Sequence, residues 1–236
     1  MTTPPDTMEN TPQASPMQRS ALYIALRTAA ILLAFTLVFT TLMASAYYLT
    51  APRVAASAQA EKLRLIGVVL APTFYDNDLF SDAIILPPTS ALGTSEETRL
   101  YRARKNGQPA ALVFEVVAPD GYSGKIRLLL AVSHSGPLLA LRVTQHKETP
   151  GLGDYIDPKK DRNKGRPWIT QFSDIGFDSV PPEQWRVKKD GGHFDQMAGA
   201  TISARAVTNA SGRALAWINV HREKLFALPA NSLYKE

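Results

Sequence analysis

The chain has 236 residues, 45% of them hydrophobic and 20% charged, which is room for one ordinary domain plus additional segments. Its net charge of +5 comes from dispersed Lys and Arg residues, without a basic stripe interleaved with aromatics, and this argues against nucleic-acid binding. There is no cysteine, so disulfides, cysteine-ligated iron–sulfur clusters, thiolate zinc sites and a cysteine nucleophile are excluded.

Residues 1–20 are rich in Thr, Pro, Ser and Gln and are expected to be disordered. Between Arg27 and Arg53 lie 25 residues without a charge. As a helix this run spans about 38 Å, enough to cross a hydrocarbon core of about 30 Å with some tilt. Tyr47 and Tyr48 sit near one end, as an interfacial aromatic belt would. Ala44-Ser45-Ala46 resembles a signal-peptide cleavage site, but the apolar run exceeds the roughly 7–15 residues usual for such a peptide. One transmembrane helix over 21–52 is the expectation. Charge does not orient it, because Arg19 and Arg27 precede the span while Arg53, Lys62 and Arg64 follow it. Residues 53–95 read as an amphipathic helix to about Leu70 and then a loop region with Asp76, Asp78 and Asp82 on a solvated surface.

Residues 96–228 read as the main domain, with 229–236 a tail. Alternation predicts a strand over Arg99–Arg104, and Val, Phe and Leu content one over Ala111–Val117 after a turn at Asn106-Gly107; a second turn at Pro119-Asp120-Gly121 is followed by strands over Lys125–Val132 and Leu138–Thr144. They fit a mainly antiparallel sheet with one helix-covered face, and so an α+β fold class behind one N-terminal transmembrane helix. The stretch 144–154, TQHKETPGLGD, places His146 and Glu148 where they could act as an acid–base pair or metal ligands; Asp154 is the only nearby third ligand, and the bland reading is a strand-end loop. Residues 157–167 are a charged loop, either solvated or a docking patch. A short helix is expected at Trp168–Phe172 and a strand at Trp185–Lys188.

The central stretch is KKDGGHFDQMAGATISARAVT, residues 188–208. Val207, Ala210, Ala214, Trp217 or Ile218, and Leu225 recur at helical spacing, so Thr201 stands where a glycine-containing loop becomes a helix of roughly 20 residues or more. Two readings of Thr201 compete. It can be the helix N-cap, or its hydroxyl can be the attachment point of a phosphate. Helix N-termini suit anions, Gly199 and Ala200 allow close backbone approach, and Arg205 could pair with the charge.

Asp195-Gln196-Met197-Ala198-Gly199-Ala200-Thr201 resembles the flavinylation motif of FMN-binding-domain proteins, an Asp followed at fixed spacing by Gly-Ala-Thr. Ala198 stands where many members carry Ser or Thr. KKDGGHFDQ, GATIS, RAVTNA, APDGYSG and the ETPGLG run are similar to segments of the G subunit of the Rnf (Rsx) electron-transport complex. The resemblance implies FMN joined through its phosphate to Thr201 by a flavin transferase. Gly199, Ala200, Ala198 and Arg205 would surround the linkage, and Glu148, Thr149, Gly151, Leu152 and His146 would border the ring. It also implies an electron-transfer subunit of an oxidoreductase that couples electron flow between NADH and ferredoxin to ion transport. The other Rnf subunits would be its partners, and it would be a single-pass protein of the bacterial inner membrane with its FMN-binding domain in the periplasm. Competing readings are the C subunit of the sodium-translocating NADH:quinone reductase, a hydrolase using Thr201 with His193 or His146, and a cofactor-free membrane-anchored binding module.

Overall fold

The computed structural model describes residues 16–235. Most of the stretch expected to be disordered lies outside them, but its last five residues are helical. Helix α1 runs without interruption over Pro16–Val69, with Pro52 inside it. Within it, Tyr23–Val54 has a mean hydropathy of 2.1 and buries nothing in the protein. Large apolar side chains such as Phe35 and Leu42 stand open along this stretch. That surface is costly in water and suited to a hydrocarbon core. The hydroxyls of Thr28, Thr36 and Thr50 donate to carbonyls four residues back, at 2.9, 2.8 and 2.8 Å, so these polar groups are satisfied within the helix itself.

The body from Glu61 onward is built on one antiparallel sheet: β1 Ala83–Leu86, β2 Thr98–Lys105, β3 Gln108–Gly121, β4 Gly124–Ser133 and β5 Leu138–Gln145, in sequence order. β2 to β5 match the four strands expected from the sequence. β1 was not expected. It pairs with β2 on one side, and on the other the backbone of Ile85 bonds Ser232 and Tyr234 of the tail at 2.9 and 2.8 Å. The β2–β3 hairpin turns at Asn106 and Gly107, both in left-handed conformations, as a two-residue turn of this hand requires. The second turn falls just after the expected Pro119-Asp120-Gly121. Pro119 stays in β3, where the register shifts between Ala118 and Gly121, and the chain reverses at Tyr122-Ser123. A bulge accommodates a proline because the ladder there needs no donor.

Both faces of the sheet are covered, not one. Leu100, Leu112, Phe114, Val116, Leu128 and Leu130 point toward α2, Thr201–Ala227, and bury Val207, Ala210, Ala214, Trp217 and Ile218. The alternate residues Tyr101, Ala103, Val113, Leu129 and Ala131 pack against Ile66, Val69 and Leu70 at the end of α1, and against Leu79. Leaving an apolar second face open would cost burial on that scale, so the alternation is apolar on both sides in mid-sheet.

Asp82 is not on a solvated surface. It pairs with Arg102, which is 1% exposed, and with Arg104 at 2.7 Å. Arg102 Nη1 also donates to the carbonyls of Leu225, Phe226 and Leu228 at 3.1, 3.3 and 2.5 Å, and Arg104 Nη2 to that of Phe226 at 3.0 Å. These are carbonyls that a helix end leaves without partners, and the two cations also face the negative end of the helix dipole. Trp185–Lys188 is not a strand. Only a single bridge, Val187 to Phe194, forms there, between short 3₁₀ turns at Pro182–Gln184 and Lys188–Asp190.

Candidate functional site

The other end of α2 is built differently. Gly199 takes a left-handed φ of +82°, in open space, so conformation and not crowding requires glycine there. Ala200 occupies the N-cap position and Thr201 is the first helical residue; no side chain caps the helix. The capping reading of Thr201 is thereby overturned, because a residue one place inside the helix is not at the N-cap. The N–H groups of this first turn have no partner within the helix.

The loop before Thr201 is nonetheless firmly held. Trp168 Nε1 donates to the Asp195 carbonyl at 2.6 Å, and the Asp195 N–H donates to Gln171 Oε1 at 2.8 Å. The Tyr155 hydroxyl bridges the rest: it accepts from the Met197 N–H and donates to the Ala200 carbonyl, both at 3.2 Å. Burial pushes the Tyr155 pKa up, so the phenol keeps the proton it donates. The short helix expected at Trp168–Phe172 is present as a 3₁₀ segment and supplies two of these anchors.

Beside the helix start opens a shallow cleft of about 140 Å³, smaller than the roughly 300–1,000 Å³ of pockets that enclose a whole ligand. It is lined by Tyr122, by the loop residues Glu148, Thr149, Leu152 and Gly153, and by Gly199, Ala200, Ile202 and Ser203. Three large side chains on it are left open to solvent: Tyr122 is 67%, Leu152 51% and Ile202 43% exposed. Glu148 is buried at 4% exposure. Its carboxylate accepts the Ser203 hydroxyl through a short hydrogen bond and the Ser123 N–H at 3.1 Å. It thus ties together the β3–β4 turn, the 148–153 loop and the first turn of α2. A Cβ at Gly153 would meet Ser203 Oγ at 2.5 Å and Glu148 Oε2 at 2.6 Å, so glycine is what lets the loop close on this pair.

Of the residues expected to bind cofactor, Glu148, Thr149, Leu152, Gly199 and Ala200 meet at this cleft, immediately before Thr201. Gly151, His146 and Ala198 do not line it. Gly151 adopts φ +76° and its N–H donates to Asp154 Oδ1 at 2.8 Å, shaping the loop. His146 Nδ1 accepts the Glu148 N–H at 3.2 Å. Ala198 is exposed on the loop. Arg205 is already engaged: its guanidinium binds both oxygens of Asp190 at 2.6 and 2.8 Å, which holds the Asp190 carboxyl below its ordinary range. A phosphate would have to share it. Ser203, Ile202, Gly153 and Tyr122 were missed by the sequence reading, although Tyr122 lies within the APDGYSG segment. His193 packs edge-on against Phe194 and His146 accepts the Glu148 N–H; among the described residues neither histidine hydrogen-bonds the Thr201 hydroxyl. Among the described residues, no group of three or more His, Asp or Glu side chains is placed to hold a metal ion.

Two families match the chain: the FMN-binding domain over residues 121–216 and the RnfG N-terminal region over residues 15–69. The G subunit of the ion-translocating oxidoreductase complex of Shewanella baltica is 36% identical over 217 residues, 92% of this chain and 96% of that protein. The chain belongs to the G-subunit family of ion-translocating oxidoreductase complexes. The Vibrio cholerae G subunit is 38% identical over 199 residues, covering 84% of this chain and 92% of that protein. That of Photorhabdus laumondii is 42% identical over 194 residues, covering 82% and 90%. These matches do not favour the quinone reductase C subunit.

The FMN-binding domain match starts at the β3–β4 turn and ends within α2, so it includes every residue of the cleft. The residues fit FMN on structural grounds. Unpartnered N–H groups and the positive end of the α2 dipole suit a phosphate at Thr201. The half-open cleft with its exposed apolar side chains suits a flat ring.

Proposed function

We propose that this chain is the membrane-anchored flavoprotein subunit of a Rnf-type complex, with FMN joined through its phosphate to Thr201. The uncapped start of α2 beside an apolar cleft is the observation that carries this reading. The bound flavin supplies one- and two-electron transfer, which lets a two-electron donor be joined to one-electron carriers. The protein supplies position. Tyr155, Trp168 and Gln171 hold the modification loop in a fixed shape, and Glu148 locks the ring-bordering loop to the helix start. Gly199 and Ala200 keep bulk away from the linkage, while the first-turn N–H groups face the phosphate charge.

In this reading the span Tyr23–Val54 anchors the protein in the inner membrane, with the FMN-binding domain on the periplasmic side. A flavin transferase completes its maturation. The other subunits of the complex supply the NADH, ferredoxin and ion sites, so that electron flow is coupled to ion transport. No separate turnover by this chain is expected.

The test is in-gel flavin fluorescence of the denatured full-length protein, made with and without a flavin transferase, alongside Thr201→Ala. Fluorescence that needs the transferase and disappears in the variant supports the reading. A dark wild-type band, beside a flavinylated control protein that is bright from the same cells, would return the chain to a cofactor-free binding module.

A further inference from the structure

Tyr122 is the one large side chain at the tip of the β3–β4 hairpin, and it is 67% exposed on the wall of the cleft. Its position is built in. The N–H of the next residue, Ser123, is fastened to the buried Glu148 carboxylate at 3.1 Å. On its other side Gly121 admits no side chain, because a Cβ there would meet the Gly124 carbonyl oxygen at 2.3 Å and Glu148 Oε1 at 2.9 Å. The hairpin tip is therefore anchored to the same carboxylate that fixes Ser203 in the first turn of α2. An exposed aromatic ring held in this way loses apolar burial and gains nothing in the body of the protein. With Leu152 and Ile202, it gives the cleft three open apolar side chains, which a flat, apolar-faced ligand would cover.

We infer that Tyr122 is the aromatic wall of the flavin site, stacking against the isoalloxazine ring and limiting its access to solvent. This rests on the reading of Thr201 as the FMN attachment point. The phenol is a good electron donor to an excited flavin, so a stacked Tyr122 quenches flavin fluorescence without altering the linkage. A phenylalanine in its place keeps the stack and removes the donor. An alanine removes both.

The experiment uses the full-length flavinylated protein as wild type, Y122F, Y122A and Y122W. Native flavin emission is measured for each and normalised to the emission of the same sample after denaturation. The wild type is expected to be quenched several-fold on folding. Y122F and Y122A should relieve that quenching several-fold, and Y122W should restore it, since indole is also a donor. Iodide, a soluble collisional quencher, should reach the flavin more readily in Y122A than in Y122F. Equal normalised emission in wild type, Y122F and Y122A would overturn the inference while leaving the Thr201 reading intact. A wild-type sample with no flavin after denaturation would overturn both. Because Y122F removes only one exposed oxygen, loss of folding does not confuse the comparison.

Discussion

The two ends of α2 are finished in opposite ways. At the C-terminal end, Arg102 and Arg104 donate to the free carbonyls, and Asp82 pairs with both cations. At the N-terminal end no side chain takes the free N–H groups, although Thr201 stands one residue from the capping position. One helix thus carries a saturated end and an end with spare binding capacity. The saturated end fixes the helix on the sheet, and the uncapped end lies beside the cleft. A fold gains stability by satisfying a terminus, so an unsatisfied one beside an apolar cleft is better explained by a ligand than by folding.

The largest expected effect breaks the saturated end. Arg102→Met should destabilise the protein by about 3–5 kcal/mol, because it leaves Asp82 short of a partner and strips carbonyls that are buried under Arg102. Chemical denaturation of the apo protein would measure it. Next comes the link between the cleft loop and the helix start. Ser203→Ala removes the hydroxyl donor to the buried Glu148 carboxylate and should cost about 1–3 kcal/mol. Any FMN still attached should then show a changed visible absorption, since Glu148 no longer holds its loop on α2.

Tyr155→Phe should be milder, about 0.5–1.5 kcal/mol, since it removes one hydroxyl with two partners. Its sharper signature is kinetic: flavin incorporation should slow, because the loop bearing Thr201 is no longer bridged across Met197 and Ala200. Smaller still is the exposed Asp190–Arg205 pair. The folded-state pKa of Asp190 is lowered by Arg205, so its contribution is present above the ordinary carboxylate range and is lost as pH falls through the lowered value. Asp190→Asn should therefore flatten the acid limb of a stability–pH profile only slightly, as solvent-exposed pairs contribute little. The smallest effect sharpens the comparison most. Thr201→Ala should leave the stability of the apo protein within about 0.5 kcal/mol of wild type, where loss of a true N-cap would cost about 1 kcal/mol.

Much of this was legible in the sequence, and for physical reasons. β2 declares itself by alternation and β3 to β5 by short apolar runs between turn signals such as Asn106-Gly107, and α2 by apolar residues at three- and four-residue spacing. The start of α2 was placed within one residue. β1 was not legible, because Ala83–Leu86 is four apolar residues whose strand state depends on β2 and on tail residues near 232–234. Trp185–Lys188 reads as a strand by composition, yet the chain folds back on itself there. A Cβ at Gly192 would lie 2.1 Å from the Arg186 carbonyl oxygen, a closeness no propensity signals. Asp82 looked like surface because its partners lie 20 and 22 residues away on β2.

The candidate site divides in the same way. Thr201, Gly199, Ala200 and the ETPGLG loop carried a sequence signature. The Glu148–Ser203 hydrogen bond joins residues 55 apart, and the Tyr155 bridge spans 42 and 45, so only the folded chain brings these pairs into contact. Arg205 fitted a phosphate by its spacing alone, and Asp190 is what occupies it.

The most direct measurement is peptide mapping by mass spectrometry of the full-length protein produced together with a flavin transferase. The expected result is that the peptide containing Thr201, and no other, carries the mass of a phosphate-linked FMN, with fragmentation placing it on the Thr201 side chain. An unmodified Thr201 peptide, with flavin absent or attached elsewhere on the chain, would contradict the assignment of the open helix end as the attachment site.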